Sequence, residues 1–391
     1  MRYEQGSLWE LMTRRGISDD WKDRIIDSDY ILMPKVDGFS GEAIPCIADL
    51  AYGSKMHIGL TPVDEFFEDI VSADPSGPRA PAYKVSSLSN LLTILNTDRH
   101  RRYFEGGLMS FRGQTREYSM RRSCPNPHIR DEEGRERLII PSFWRQFKDD
   151  WSRRFAVEEP TSLFSSILGH ELVYYGLPSV SELTERNLAR YGPHSFSDLQ
   201  DFDDQESREY YRRWRLNKMC ADWEMPLVEQ HYGTDTCGLD VTFNYNTALF
   251  FATNTFMTSS DGTAYYKPVQ AGQHTGVLYA LVFRDPPITQ TWDMVRSIRI
   301  MDHVSPIRPI RQKCALPIFG SWNFNEAATD LDAIFYLSPD FECDEMLTQD
   351  DLFPSEDEDP FYKAVLDLRE RFPGHHQYRK FVKYRTPISH G

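Results

Sequence analysis

The chain has 391 residues, 40% of them apolar and 13% aromatic, with a formal net charge of −15. That length and composition suit one large domain or two medium ones with a sizeable core, and they exclude a disordered chain. The acidic balance argues against general binding to polyanions, and no apolar run approaches the roughly 20 residues needed to span a bilayer.

The first fifteen residues mix Glu4, Glu10, Arg14 and Arg15 without an apolar core, so a signal peptide is not expected and a cytoplasmic location is the default. Leu8–Met12 and Trp21–Ile26 carry helical spacing. Thr61-Pro62 before an apolar stripe at Val63, Phe66 and Phe67 predicts an N-cap, a proline at the first helical position and a short helix. A turn-rich connection, Ser72–Pro81, leads to a strand at Tyr83–Val85 and a helix at Ser87–Asn96. These residues, 1–98, form an expected N-terminal accessory layer of helices and mixed elements.

Leu108–Arg112 reads as a strand that runs into a loop at Gly113. Helices are expected at Pro141–Trp151, across much of 160–230, and at Ala248–Phe256 just after a strand at Leu239–Thr242. Gly276–Phe283, ended by Pro286-Pro287, is the clearest strand; Ile298–Ile300, Ile307–Ile310 and Ala333–Leu337 are read as further strands. Helices followed by non-alternating strands argue for an α+β fold. No G-x-G-x-x-G and no G-x-x-x-x-G-K-[ST] occurs, so Rossmann and P-loop phosphate sites are not indicated.

Charge is uneven. Residues 99–154 hold 14 Lys/Arg against 8 Asp/Glu, and residues 340–359 hold ten acids and no base. The run Glu356–Asp359 reads as a solvated loop, a contact for a basic partner, or an internal cover for the basic region. In that basic region Arg116, Arg121, Arg122 and Arg130 surround Tyr118 and His128; either they contact phosphates with stacking alongside, or they pair with Asp131, Glu132, Glu133 and Glu136. The six cysteines are scattered without a C-x-x-C pair, and the adjacent His375 and His376 lack nearby cysteines, so no disulfide frame or metal site is expected.

Two blocks carry candidate chemistry. In the first, Phe111-Arg112-Gly113-Gln114, an arginine at a strand end presents a planar fork to phosphate or ribose oxygens, or pins the strand by a salt bridge. Gly113 permits close backbone approach. In the second, Gln230-His231-Tyr232-Gly233 precedes Asp240, Val241 and Thr242 and the run Thr247–Ala252. His231 is a base or a loop-fixing buried residue, and Tyr232 stacks on a flat ring or belongs to the core. Asp240 and Thr242 share a strand face and make a ligand edge, unless Asp240 caps the following helix; Asn244 and Asn246 are cap candidates.

Together and in this order the blocks resemble the FRG domain family, named for its Phe-Arg-Gly signature and found among poorly described bacterial proteins. The resemblance covers about residues 105–256, with an extension to about 340. The order of elements is also similar to that of ADP-ribosyltransferases, with Arg112-Gly113, Thr242 and Gln312 in the three motif positions. The resemblance implies an ADP-ribosyltransferase-like split β-sheet core at 99–345 with a large helical insertion. An acidic loop and a basic C-terminal helix or tail follow at 346–391. It implies NAD as the substrate cofactor: Arg112 on ribose or phosphate, the Gly113 backbone on the nicotinamide amide, Tyr232 and Thr242 around the nicotinamide, Phe111 and Gln114 as further cofactor-binding residues, and Gln312 on the ribose 2′-hydroxyl. An amide removes no proton, so His231 or Asp240 supplies the base for a hydroxyl acceptor. The expected activity is an NAD-dependent ADP-ribosyltransferase with RNA or another nucleic acid as first acceptor and protein as second. A toxin or phage-defence role, and a protein antitoxin or inhibitor as partner, come with it. A nucleotide- or RNA-binding module without chemistry and an NAD glycohydrolase are the alternatives; no membrane partner is expected.

Overall fold

The structure is a computed structural model that describes residues 2–36, 43–49, 60–71, 80–126, 129–140, 230–233, 239–282, 294–296, 306–317, 330–343, 346–374 and 381–385. The expected helices at 141–151 and 160–230, the expected strand at 298–300, His128 and the His375-His376 pair lie outside these residues.

The N-terminal layer begins with α1 (Arg2–Arg14) and α2 (Asp19–Asp27), as their apolar spacing predicts. It continues with an antiparallel sheet that the periodicity did not reveal, β1 (Tyr30–Val36), β2 (Ala43–Asp49) and β3 (Leu60–Pro62). A one-turn helix, α3 (Val63–Phe66), and a π-helical turn at Phe67–Val71 close the layer. Leu8, Met12, Ile25, Ile47 and Phe66 share its core.

The chain then enters the central sheet through β4 (Ala82–Ser87), followed by α4 (Leu88–Leu95) and α5 (Asp98–Glu105). The Ser87 hydroxyl accepts from the Asn90 amide, so the cap that starts α4 is the one its sequence announces. The central sheet therefore takes its edge strand from the stretch read as an accessory layer. Next come β5 (Met109–Gln114), the small hairpin β6 (Ser119–Met120) and β7 (Glu136–Arg137), β8 (Val241–Thr242) and α6 (Tyr245–Thr253). A second hairpin, β9 (Asn254–Thr258) and β10 (Ala264–Pro268), precedes β11 (Val277–Val282) and β12 (Met294–Arg296). The chain ends with α7 (Ile307–Arg311), β13 (Cys314–Pro317), β14 (Leu331–Glu342), α8 (Gln349–Leu352) and α9 (Pro360–Arg371).

Among the described residues the central sheet has seven strands in the order β12-β13-β8-β5-β11-β14-β4. All neighbours are antiparallel except β14 and β4, which run parallel. The fold is mixed α+β, as the non-alternating strands indicate. Ile307–Ile310 is a correction: it forms helix α7, not a strand, and the β-strand next to it starts only at Cys314. The segment is too short for periodicity to separate the two states.

Both faces of the sheet are buried. Met109, Phe111, Leu278, Ala280 and Phe335 face α4 and α6 on one side; Val277, Tyr279, Leu281, Ile334 and Val241 face the other. Helix α6 lies unusually close to the first face. A Cβ at Gly113 would sit 1.8 Å from the Ala248 carbonyl oxygen, and one at Gly276 would sit 2.4 Å from that of Ala252. Two glycines, one in β5 and one just before β11, thus meet two alanines one helical turn apart, a seam in which only absent side chains allow contact.

The layers are joined by a buried cation. Arg122, with a side chain 2% exposed, donates to both Asp49 oxygens and to the Ser28 carbonyl, lies 3.3 Å from Glu136, and covers the Tyr30 ring at 4.3 Å.

Candidate functional site

Strands β5 and β8 share one register pair, Phe111 with Thr242. Toward Gln114 on one strand and Asp240 on the other they are not paired, and a cleft of about 280 Å³ opens there. Its lining includes Arg112, Gly113, Gln114, Asp240, Thr242 and Gln312, with Phe251, Phe256 and Tyr266 as an aromatic side. Arg112 and Gln312, 200 positions apart in sequence, thus meet at one site. So do residues from both blocks.

Each side chain is held by a particular element. Phe111 is 1% exposed and faces α6, so it lines the cleft from the core side. Arg112 alternates to the opposite face, where its Nη1 donates to the Asp240 carbonyl at 2.6 Å. The close approach that Gly113 permits is that of α6. Gln114 is 6% exposed, and among the described residues neither its amide oxygen nor its amide nitrogen has a hydrogen-bond partner.

The Thr242 hydroxyl donates to the Gln312 carbonyl at 2.6 Å and accepts from the Asn244 amide at 3.0 Å. Its first duty is to tie β8 to the end of α7. Asn244, not Asp240, caps α6, accepting from the Asn246 amide at 3.0 Å. Asp240 is left with a side chain 34% exposed in the cleft.

Gln312 is not on a strand. It is the C-cap of α7, 3% exposed, and its Nε2 donates to the Leu352 carbonyl at 3.2 Å. It reaches the cleft because α7 delivers it there, two residues before β13 begins.

His231 stands behind the cleft. It is 8% exposed, with Nε2 3.5 Å from an Asp240 carboxylate oxygen. Burial lowers its pKa below the ordinary 6.5; Asp240 and Gln312 pull it up, and Arg308 pushes it down. Burial prevails because the carboxylate is distant for an ion pair and half turned to solvent. The imidazole is therefore neutral at pH 7.

Tyr232 is a correction. Expected at the ligand ring, it is 2% exposed and absent from the cleft lining. Its hydroxyl donates to Asp359, and its ring lies against Phe361 and over the Arg308 guanidinium. Asp359 is wholly buried, caps α9 through the Tyr362 amide, and also accepts from the Arg308 amide. The acidic run is thus no plain solvated loop: Glu356 pairs with Lys383, Glu358 pairs with Arg311, and Asp359 is a core residue. The signal for it was Asp359-Pro360, an N-cap followed by proline at the first helical position.

Arg308 is the other residue that the sequence reading missed. It is 1% exposed, donates to the His231 carbonyl at 2.6 Å, and is enclosed by the rings of Tyr232, Tyr362, Tyr384 and Phe353. Through it the His231–Tyr232 turn fixes α7, and α7 in turn places Gln312.

Residues 170–261 match the family model of the FRG domain. That interval of the chain is similar to the FRG domain. No curated protein and no solved structure matches it. The matched interval of the FRG domain takes in His231, Asp240, Thr242 and helix α6; Phe111–Gln114 lies outside it but pairs with it across β5 and β8.

Part of the basic region is spent on the fold. Arg122 is consumed at the layer junction, Arg135 pairs with Asp131 and Glu133, and Arg137 pairs with Glu117. Arg116 lies over Tyr118 at the cleft edge and, like Arg121, is exposed. No group of three metal-ligating side chains occurs among the described residues, and no helix among them is long and apolar enough to cross a membrane.

Proposed function

We propose that the cleft binds the nicotinamide–ribose half of NAD and that the protein transfers ADP-ribose from it. The observation that carries this reading is the convergence of Arg112, Asp240, Thr242 and Gln312 on one opening, where β5 and β8 part after a single register pair, with aromatic rings along one side. A volume of about 280 Å³ is at the low end for a ligand pocket and suits half a dinucleotide.

In this reading Arg112 holds a ribose or phosphate oxygen, and the aromatic side stacks on the ring. Breaking the bond between the sugar and nicotinamide leaves positive charge on the sugar, and the cleft-facing Asp240 carboxylate stabilises it. The acceptor's hydroxyl or amine forms the new bond to the sugar carbon, nicotinamide departs neutral, and the acceptor's proton passes to Asp240. Neutral His231, 3.5 Å behind, orients that carboxylate. Gln312 takes no proton and orients His231 and the ligand.

Exposed Arg116 and Arg121 favour a polyanionic acceptor, RNA first, and a toxin or phage-defence role is the cellular form of that activity. The test is incubation of the purified protein with NAD labelled in its adenosine half, together with total RNA and total protein. Label on RNA, lost with Asp240→Asn and Arg112→Ala, supports transfer. Nicotinamide release without a labelled acceptor marks hydrolysis alone. Intact NAD after long incubation overturns the catalytic reading.

A second reading, a nucleotide-binding module without chemistry, is favoured by the engagement of the Gln312 amide with Leu352 and by the absence of an acid at that position. A ligand-dependent rise in melting temperature with intact NAD would mark it.

A further inference from the structure

Gln114 has no assigned task in the fold. It sits at the last position of β5, paired with Val277, and lines the cleft. Both of its amide atoms are shut off from solvent and meet no hydrogen-bond partner among the described residues. A buried amide left in this state costs stability, and evolution usually removes it unless it acts on something else. Leucine or methionine would fill the same volume without the cost. The nearby aromatic side of the cleft supplies a second observation. Phe256, 46% exposed and lying nearly perpendicular to Tyr266 at 5.6 Å, lines the same cleft and leaves an apolar ring surface open there.

We infer that Gln114 is the specificity residue of the cleft and that it reads the edge of a planar heterocycle bearing an adjacent donor and acceptor, while Phe256 covers the ring face. The inference rests on the reading of the cleft as an NAD site. One side-chain amide offers one acceptor and one donor face, which a primary carboxamide or an adenine edge matches with two hydrogen bonds. NAD contains both groups. The amide is already stripped of water, so once the side chain turns it into the cleft a matching ligand gains both bonds without displacing solvent. A ligand that lacks the pattern leaves the amide orphaned, which is the situation in which sites discriminate best. A carboxylate in place of the carboxamide is rejected because it presents two acceptors.

The experiment is titration calorimetry of wild type, Gln114→Leu and Phe256→Ala with four probes: NAD, its nicotinic-acid analogue, nicotinamide and adenosine. Wild type is expected to bind NAD at least about tenfold more tightly than the acid analogue if the carboxamide is read, and adenosine in preference to nicotinamide if the adenine edge is read. Gln114→Leu is expected to weaken the matching probe by about tenfold and abolish the preference, while the ligand-free protein melts at the same or a higher temperature. A merely structural glutamine would instead lower the melting temperature and leave the preference intact, which overturns the inference. Equal NAD affinity in wild type and Gln114→Leu also overturns it, with the NAD reading standing. If wild type binds nicotinamide or adenosine in a Gln114-dependent way but not NAD, the inference holds and the NAD reading fails. If no probe binds, both fail.

Discussion

Replacing Gly113 with alanine puts the seam beneath α6 under direct test. The added Cβ would lie 1.8 Å from the Ala248 carbonyl oxygen, 2.7 Å from its carbonyl carbon and 3.0 Å from the Ala252 nitrogen. Reaching an ordinary contact near 3.4 Å requires α6 to retreat by about 1.6 Å. No side chain can turn aside, because every atom met is backbone. Ala248, Leu249 and Ala252, each 0–1% exposed, would lose their contact with Phe111 and Leu278. Overpacking that side chains can absorb costs about 1–3 kcal/mol, so backbone overpacking here should reach about 3 kcal/mol or more. Against a total stability of about 5–15 kcal/mol that is a large fraction. It corresponds to a fall in melting temperature of roughly 6–12 °C for a unit of 150–250 residues. Differential scanning calorimetry reads it directly. Gly276→Ala, whose Cβ would sit 2.4 Å from the Ala252 oxygen, should fall in the same direction. Gly6→Ala, in helix α1 with nothing within 4 Å, should leave melting unchanged or raise it. If Gly113→Ala melts within about 2 °C of wild type, the seam does not hold α6 and the glycine's first role is toward a ligand.

Asp359→Ala removes the α9 cap and the acceptor for Tyr232 and Arg308 at once, so a loss of about 2–4 kcal/mol in urea unfolding is expected; a loss below about 0.5 kcal/mol would show that these bonds are not formed. Arg122→Met strands the buried Glu136 and should cost about 3–5 kcal/mol, with part of it recovered in the Arg122→Met, Glu136→Gln double variant; simple additivity of the two would refute the pairing. Buried neutral His231 makes stability pH-dependent. Its folded pKa lies below the unfolded 6.5, so the unfolded chain binds more protons between those two values. Its contribution is present above pH 6.5 and is lost as the pH falls through the folded pKa. The melting-temperature slope in that window should flatten in His231→Gln, and an unchanged slope would assign the dependence to other groups.

The local elements were legible in sequence because their signals are local. Ser87 before an apolar helix, Asn244 before Tyr245–Thr253, and the apolar run Val277–Val282 each carry their cap or period within a few residues. The two blocks around Arg112 and Asp240 were also legible as candidates, since strand-end arginine, glycine and acid are unusual company. Legibility failed where a residue's state depends on a distant partner. Two-residue β8 exists only because β5 and β13 flank it. Val295 in edge strand β12 and Ala315 in its neighbour β13 lie in strands too short to show a period.

The sequence by itself therefore determined the kind of fold, the helices with caps, and a short roster of polar candidates. Tertiary structure decided which of them meet. It brought Gln312 to Arg112 on the end of a helix, withdrew Tyr232 into a bond with Asp359, caged Arg308 behind the site, and left Gln114 buried with an unused amide. The physical reason is that capping and periodicity act within a turn or a strand, whereas burial and hydrogen-bond satisfaction are settled by residues up to 200 positions away, as with Arg112 and Gln312 in one cleft.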